Sequence, residues 1–159
     1  MSPLRPDPGP CPRTTRLTLA AVKKKTANHL RDFSHFCVVA ERVFAPDDED
    51  WRACMKEFAR AVRHVHMRVG FAEGPQVNHP RAPEHKEALE RHESWWDEIL
   101  QAQAAAGVKV MTCEPEHGTS GYQNTLPFSN VETADLWEVN CWLRKHEAER
   151  MSKQAYWMA

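Results

Sequence analysis

His64-Val65-His66-Met67-Arg68-Val69-Gly70 alternates polar and apolar residues with a period of two, which is the repeat of a β-strand. Residues 64, 66 and 68 share one face, and Val65, Met67 and Val69 share the other. One face therefore packs on helices while the other turns two imidazoles and a guanidinium toward an interior, a set that is costly to bury without partners. The plainer alternative is a polar stripe on an edge strand, facing solvent. The flanking sequence decides between the two.

Upstream, Pro46-Asp47-Asp48-Glu49-Asp50 opens a helix, because proline suits the first turn and carboxylates suit the positive end of the helix dipole. The helix continues at helical spacing through Trp51, Met55, Phe58, Ala59 and Val62. Before it, the run Asp32-Phe33-Ser34-His35-Phe36-Cys37-Val38-Val39 predicts a strand ending at Asp32, then a turn or short helix to Phe44. Thr14 to Lys25, with Leu17, Leu19, Ala21 and Val22, predicts a short amphipathic helix. Downstream, Gly74-Pro75, Pro80 and Pro83 make Phe71 to Pro83 a long loop. A helix is expected over Glu84 to Ala106, striped by Leu89, Trp96, Ile99 and Leu100 and closed by Gly107. A strand is expected over Val108 to Cys113. Glu114-Pro115-Glu116-His117-Gly118 then leads into a loop with Gly121 and Pro127, and a last helix runs from about Glu132 to Lys145 or later.

Strands separated by long helices cannot be hairpins; they need right-handed crossovers and a parallel sheet. The expected class is α/β. In such sheets, sites gather at the carboxyl ends of strands. Each expected strand end here carries metal ligands or acid–base groups: Asp32 and His35, then His64, His66 and Arg68, then Glu114 and Glu116. Carboxylates and imidazoles without a thiolate suit one divalent ion such as Mn²⁺, Mg²⁺, Co²⁺ or Zn²⁺. Arg68 also suits an anionic or hydroxyl-rich substrate group.

Composition narrows the partners. Of 159 residues, 42% are hydrophobic and 27% charged, and the net charge is −1 with histidines neutral. That leaves no basic excess for nucleic acid, and Lys23-Lys24-Lys25 reads as a solvated helix face. No stretch approaches the roughly 20 apolar residues of a membrane span. The five cysteines are odd in number and none has CxxC spacing, which points to reduced thiols in a cytoplasmic protein rather than a disulfide framework. Residues 1–13, rich in proline and without an apolar core, read as a disordered tail rather than a leader. His29, His79, His85, His92, His117 and His146 are expected on surfaces or loops, with His117 and Glu116 as possible supporters of Glu114. Trp95, Trp96, Trp137 and Trp142 are expected in helix packing.

The segment His64-Val-His-Met-Arg-Val-Gly-Phe-Ala-Glu-Gly-Pro-Gln-Val, followed by Asn78-His-Pro-Arg-Ala-Pro-Glu and Trp95-Trp96-Asp97, resembles the xylose isomerase-like (β/α)₈ barrel superfamily. The sugar phosphate isomerase/epimerase members are the most similar. Asp32-Phe-Ser-His35, Glu114-Pro-Glu-His-Gly and Asp135-Leu-Trp-Glu-Val-Asn-Cys-Trp fit in order and spacing. The resemblance spans roughly residues 14 to 146. It implies a partial TIM barrel, with about three parallel strands equivalent to strands six to eight in residues 14–159. It also implies one divalent metal on Asp32, His66 and Glu114. His64, Arg68 and His35 would face a small sugar or sugar phosphate. In the family, glutamates move a proton beside a carbonyl, so Glu114 and His35 are the candidate catalytic residues.

The strand-five glutamate of the family has no counterpart, and a whole barrel takes about 250 residues. The expectation is therefore the C-terminal half of a barrel, with open edges that favour self-association. Thr26-Ala-Asn-His-Leu-Arg is also more polar than a buried barrel strand. Two other readings follow from the residues: a non-catalytic remnant or interaction module completed by a dimer or a barrel half, and a metal-dependent nuclease, which the charge balance disfavours.

Overall fold

The computed structural model describes residues 30–119 and 121–154, without the side chains of residues 30 and 31. The expected tail, the helix over Thr14 to Lys25, Cys11 and His29 lie outside the described residues. The order is β1 (Leu30–Asp32), α1 (Ser34–Ala40), α2 (Glu49–Ala61), β2 (His64–Met67), a 3-10 turn (Pro83–His85), α3 (Lys86–Ala105), β3 (Thr112–Pro115) and α4 (Leu136–Met151). The three strands form a parallel sheet in the order β1-β2-β3. The protein is an α/β structure, and none of its described helices is long and apolar enough to cross a membrane.

The period-two reading of β2 matches the burial. Val65, Met67 and Val69 are buried in the core, while His64 and His66 are half-buried on the opposite face. The core under the sheet is aromatic. Phe44 stacks on Trp51 with centroids 4.2 Å apart and rings 7° from parallel, and Trp51 lies 4.8 Å from Trp95. Phe33, Phe36 and Phe58 close the group. Helix α2 starts where its sequence dictates: Asp48 accepts a hydrogen bond from Trp51 N at 2.9 Å, and Glu49 and Asp50 occupy the first turn. Gly107 adopts φ +81° just past α3, the left-handed step that ends a helix.

Several boundaries differ from expectation. The third strand is Thr112–Pro115, not Val108 to Cys113, because pairing with β2 begins only at His64↔Thr112. Val110, with no strand beside it, is 76% exposed. The ladder continues past the strand through Glu116 N donating to Met67 O at 3.1 Å. The last helix starts at Leu136, because Asp135 caps it by accepting from Trp137 N and Glu138 N, and Glu132 is instead bridged to Thr125. The first residues of the expected helix over Glu84 to Ala106 are a 3-10 turn opened by Pro83.

Two side chains also sit elsewhere than expected: His92 is fully buried and Trp137 is 79% exposed, while His117 lies in a loop, as expected, but is buried. His92 is held from both sides: Nδ1 donates to Ala88 O at 2.8 Å, and Nε2 accepts from Gly70 N at 3.1 Å. It ties the end of β2 to α3. Burial pushes its pKa down to about 4, so the ring stays neutral. Gly70 is needed at that point, since a Cβ there would meet Gly74 O and Ser34 O, each at 3.0 Å.

Candidate functional site at the carboxyl edge of the sheet

The sheet register pairs Asp32 with His66 and His66 with Glu114, so the three expected ligands form one row across the strands. Aligned residues in a parallel sheet point to the same face. The side chains, however, divide between two neighbouring groups. Ligand atoms of Asp32, His66 and Glu116 lie within 4.8 Å of one another, and so do those of His64, His66 and Glu114. Asp32 and Glu114 fall in different groups, and His66 belongs to both.

Asp32 is anchored by four donors. Its Oδ1 accepts from Ser34 N at 2.9 Å and Ser34 Oγ at 2.6 Å. Its Oδ2 accepts from Arg68 Nε at 3.1 Å and closely from Arg68 Nη2. Arg68 Nη2 also reaches Glu116 Oε2 at 3.4 Å and His35 Nε2 at 3.3 Å. Its guanidinium lies over the Tyr122 ring, 4.4 Å from the centroid, a favourable cation–π placement. Arg68 is thus a buried cation serving two carboxylates, which meets the cost of carrying its charge out of water.

His66 Nδ1 bonds closely to Glu116 Oε2. His64 Nδ1 contacts Thr112 Oγ1 at 2.5 Å, and its Nε2 lies 3.5 Å from Glu114 Oε2. Glu114 is well exposed, so this second group opens to solvent. His35 is half exposed at the rim, with Nε2 3.3 Å from Asp32 Oδ2.

From sequence, Glu116 is expected at the third strand end and, with His117, as a supporter of Glu114; Tyr122 is not expected. Glu116 takes the place beside Asp32 and His66, because β3 is shifted toward the C-terminus and residue 116 falls on the same face as 114. Tyr122 arrives from a loop that no periodicity marks. His117 is buried, yet neither ring nitrogen has a hydrogen-bond partner among the described residues. Burial, with Arg68 and His79 nearby, pushes its pKa down to about 3 and leaves the ring neutral. The loops bearing these residues are joined by Gln76, whose Oε1 accepts from Gly118 N at 2.7 Å and whose Nε2 donates to Gly118 O at 3.0 Å. Asn140 of α4 clamps the backbone of His117 in the same reciprocal way.

Burial pushes the Cys37 thiol up to about 12 and the Cys113 thiol up to about 11, so neither supplies a thiolate near neutral pH. Among the described residues, the grouped ligand atoms at the sheet edge are carboxylate oxygens and imidazole nitrogens. Two carboxylates and an imidazole within reach of one another fit a divalent cation such as Mn²⁺, Mg²⁺, Co²⁺ or Zn²⁺. No protein-family model matches the chain, and comparison with curated proteins and with solved structures yields no match.

Proposed function

We propose that this chain is a metal-binding, sugar isomerase/epimerase-like protein, its sheet forming part of a xylose isomerase-like barrel. The supporting observation is the convergence of Asp32, His66 and Glu116 from three parallel strand ends, beside a buried Arg68. Asp32, His66 and Glu116 would hold the ion, with Glu114 and His64 as the flanking pair. The ion supplies Lewis acidity that polarises a carbonyl oxygen when bound.

The remaining work falls to the protein's own groups. Glu114, exposed and beside His64, is placed to take or return a proton on a carbon next to that carbonyl. Arg68 and His35 face the same edge and suit sugar hydroxyls or a phosphate. Calorimetric titration with Mn²⁺ tests the reading, since His66 is common to both groups. Wild type should bind and His66→Ala should lose the heat; identical heats in the two proteins overturn it.

A second reading has its own support. Val110 is exposed beside a cleft lined by Leu100, Met111, Cys113 and Met151, next to the outer side of β3. An apolar surface at a sheet edge favours an interaction module completed by a second copy or another barrel segment. Size-exclusion chromatography separates these outcomes: a defined dimer favours completion, and a monomer at micromolar concentration removes it.

A further inference from the structure

A third group of ligating atoms lies between α3 and α4. Glu93 and Asp97 sit one turn apart on α3. His146, Glu147 and Arg150 face them from α4. His146 Nε2 is 2.6 Å from Glu93 Oε1, and Arg150 Nη1 donates to Asp97 Oδ2 at 2.5 Å. Arg150 also donates to Glu147 Oε2, from Nη2 at 2.6 Å and from Nε at 3.0 Å.

Among the described residues, three carboxylates, Glu93, Asp97 and Glu147, face one guanidinium and one imidazole. Glu147 is only 2% exposed, and its Oε1 has no hydrogen-bond partner among the described residues. That oxygen lies 3.9 Å from His146 Nε2. A buried carboxylate oxygen without a donor is costly, and this one is turned toward the two other ligating atoms. Ligand atoms of Glu93, His146 and Glu147 all lie within 4.8 Å of one another. Trp142 stacks on His146 with centroids 4.8 Å apart and rings 17° from parallel, which fixes the imidazole plane.

We infer that Glu93, His146 and Glu147 form a zinc-type divalent cation site that joins α3 to α4, separate from the sheet edge. One divalent ion gives Glu147 Oε1 the partner it lacks among the described residues. Imidazole nitrogen with carboxylate oxygens is an ordinary ligand set for Zn²⁺. Arg150 holds the other oxygen of Glu147 and orients the carboxylate, as groups behind metal ligands commonly do. The site's place between two helices, away from the proton-moving groups, gives it a structural role.

The test uses the full chain and Zn²⁺ alone. In a His66→Ala background, which removes the ligand shared by both sheet-edge groups, calorimetry should still show one Zn²⁺ bound. Adding His146→Gln should weaken that event about tenfold or more. No heat in the His66→Ala protein, or heat unchanged by His146→Gln, overturns the inference. A second readout needs no variant to fold. In the wild-type protein labelled with ¹⁵N, the His146 ring nitrogens should move on Zn²⁺ addition. A His146 ring that stays unmoved through saturating Zn²⁺ overturns the inference as well.

Discussion

The charged cluster at the sheet edge and the one between α3 and α4 each centre on an arginine, but they are assembled differently. At the sheet edge, strands deliver side chains every second residue, and Arg68 bridges two carboxylates from two other strands. Between the helices, Glu93 with Asp97 and His146 with Arg150 come from successive turns, and Arg150 bridges carboxylates of both helices. The Arg68 side chain is 4% exposed and that of Arg150 17%. At the sheet edge the side chain of Asp32 is 9% exposed and that of Glu116 36%; between the helices that of Glu147 is 3% exposed and that of Asp97 31%. Each arginine joins one buried carboxylate to one partly exposed one, and the helix cluster alone of the two leaves a buried carboxylate oxygen, Glu147 Oε1, without a partner among the described residues.

The largest effect separates the two arginines. Arg68→Met strands Asp32, whose side chain is 9% exposed, without its cation. Breaking a buried pair in this way costs about 3–5 kcal/mol. Arg150→Met should cost less, about 1–3 kcal/mol, because Asp97 is partly exposed and Glu147, its pKa already pushed up to about 7 by burial, can take up a proton when the cation is lost. Urea denaturation of both variants at neutral pH gives the order. An Arg150→Met loss equal to or above that of Arg68→Met breaks the contrast.

The next effect is on pH. His92, packed beneath the end of β2, keeps a pKa of about 4 where a free imidazole has 6.5, with burial the main cause. The unfolded chain therefore binds a proton that the folded one refuses between those values, and stability falls as the pH drops from 6.5 toward 4. Two to three pKa units correspond to roughly 3 kcal/mol. Glu147 behaves in the opposite sense. Burial raises its pKa from 4.5 to about 7, against the pull of Arg150. The folded chain holds that proton longer than the unfolded one, so this group lowers stability as pH rises from 4.5 through 7. Glu147→Gln should remove the opposing slope. In chelated buffer, its melting temperature should climb more steeply between pH 4.5 and 7 than that of wild type. Parallel pH profiles for the two proteins would remove Glu147 from the account.

The contrast also explains what was legible in the sequence. Alternation in 64–70 disclosed β2, both its faces and the inward polar set, because a two-residue period is local. The carboxylate run at 47–50 marked the start of α2 for the same reason. Asp32, His66 and Glu114 do fall in one cross-strand row. Their division into two groups was not legible, because it depends on which carboxylate Arg68 and His66 reach, and that is set by the start of β3. Its start depends on where β2 begins, 48 residues earlier in the Thr112–His64 pairing. The helix cluster left no local trace at all. Glu93, Asp97, His146 and Arg150 look like ordinary helix surface until α4 docks, and a buried Glu147 contradicts the usual exposure of glutamate. His92 was hidden likewise: its role needs Gly70 from another element as its donor.

The smallest expected effect concerns α4 itself, which has an inner side and an outer side. Val139, Leu143 and Glu147 point inward, each four residues after the last, and all are buried. Trp137 lies off that row and is 79% exposed, although tryptophans at helical spacing suggested packing. Replacing an exposed side chain that touches no cap, core or charge network usually changes stability by less than about 0.5 kcal/mol. Trp137→Ala should stay within that limit, and Trp142→Ala should exceed it, because Trp142 packs on His146 and against the core. Urea denaturation at two protein concentrations checks both. A Trp137→Ala loss of about 2 kcal/mol that grows with concentration would mean that a second molecule covers the outer side of α4. The outer side of α4 would then be exposed only in the monomer.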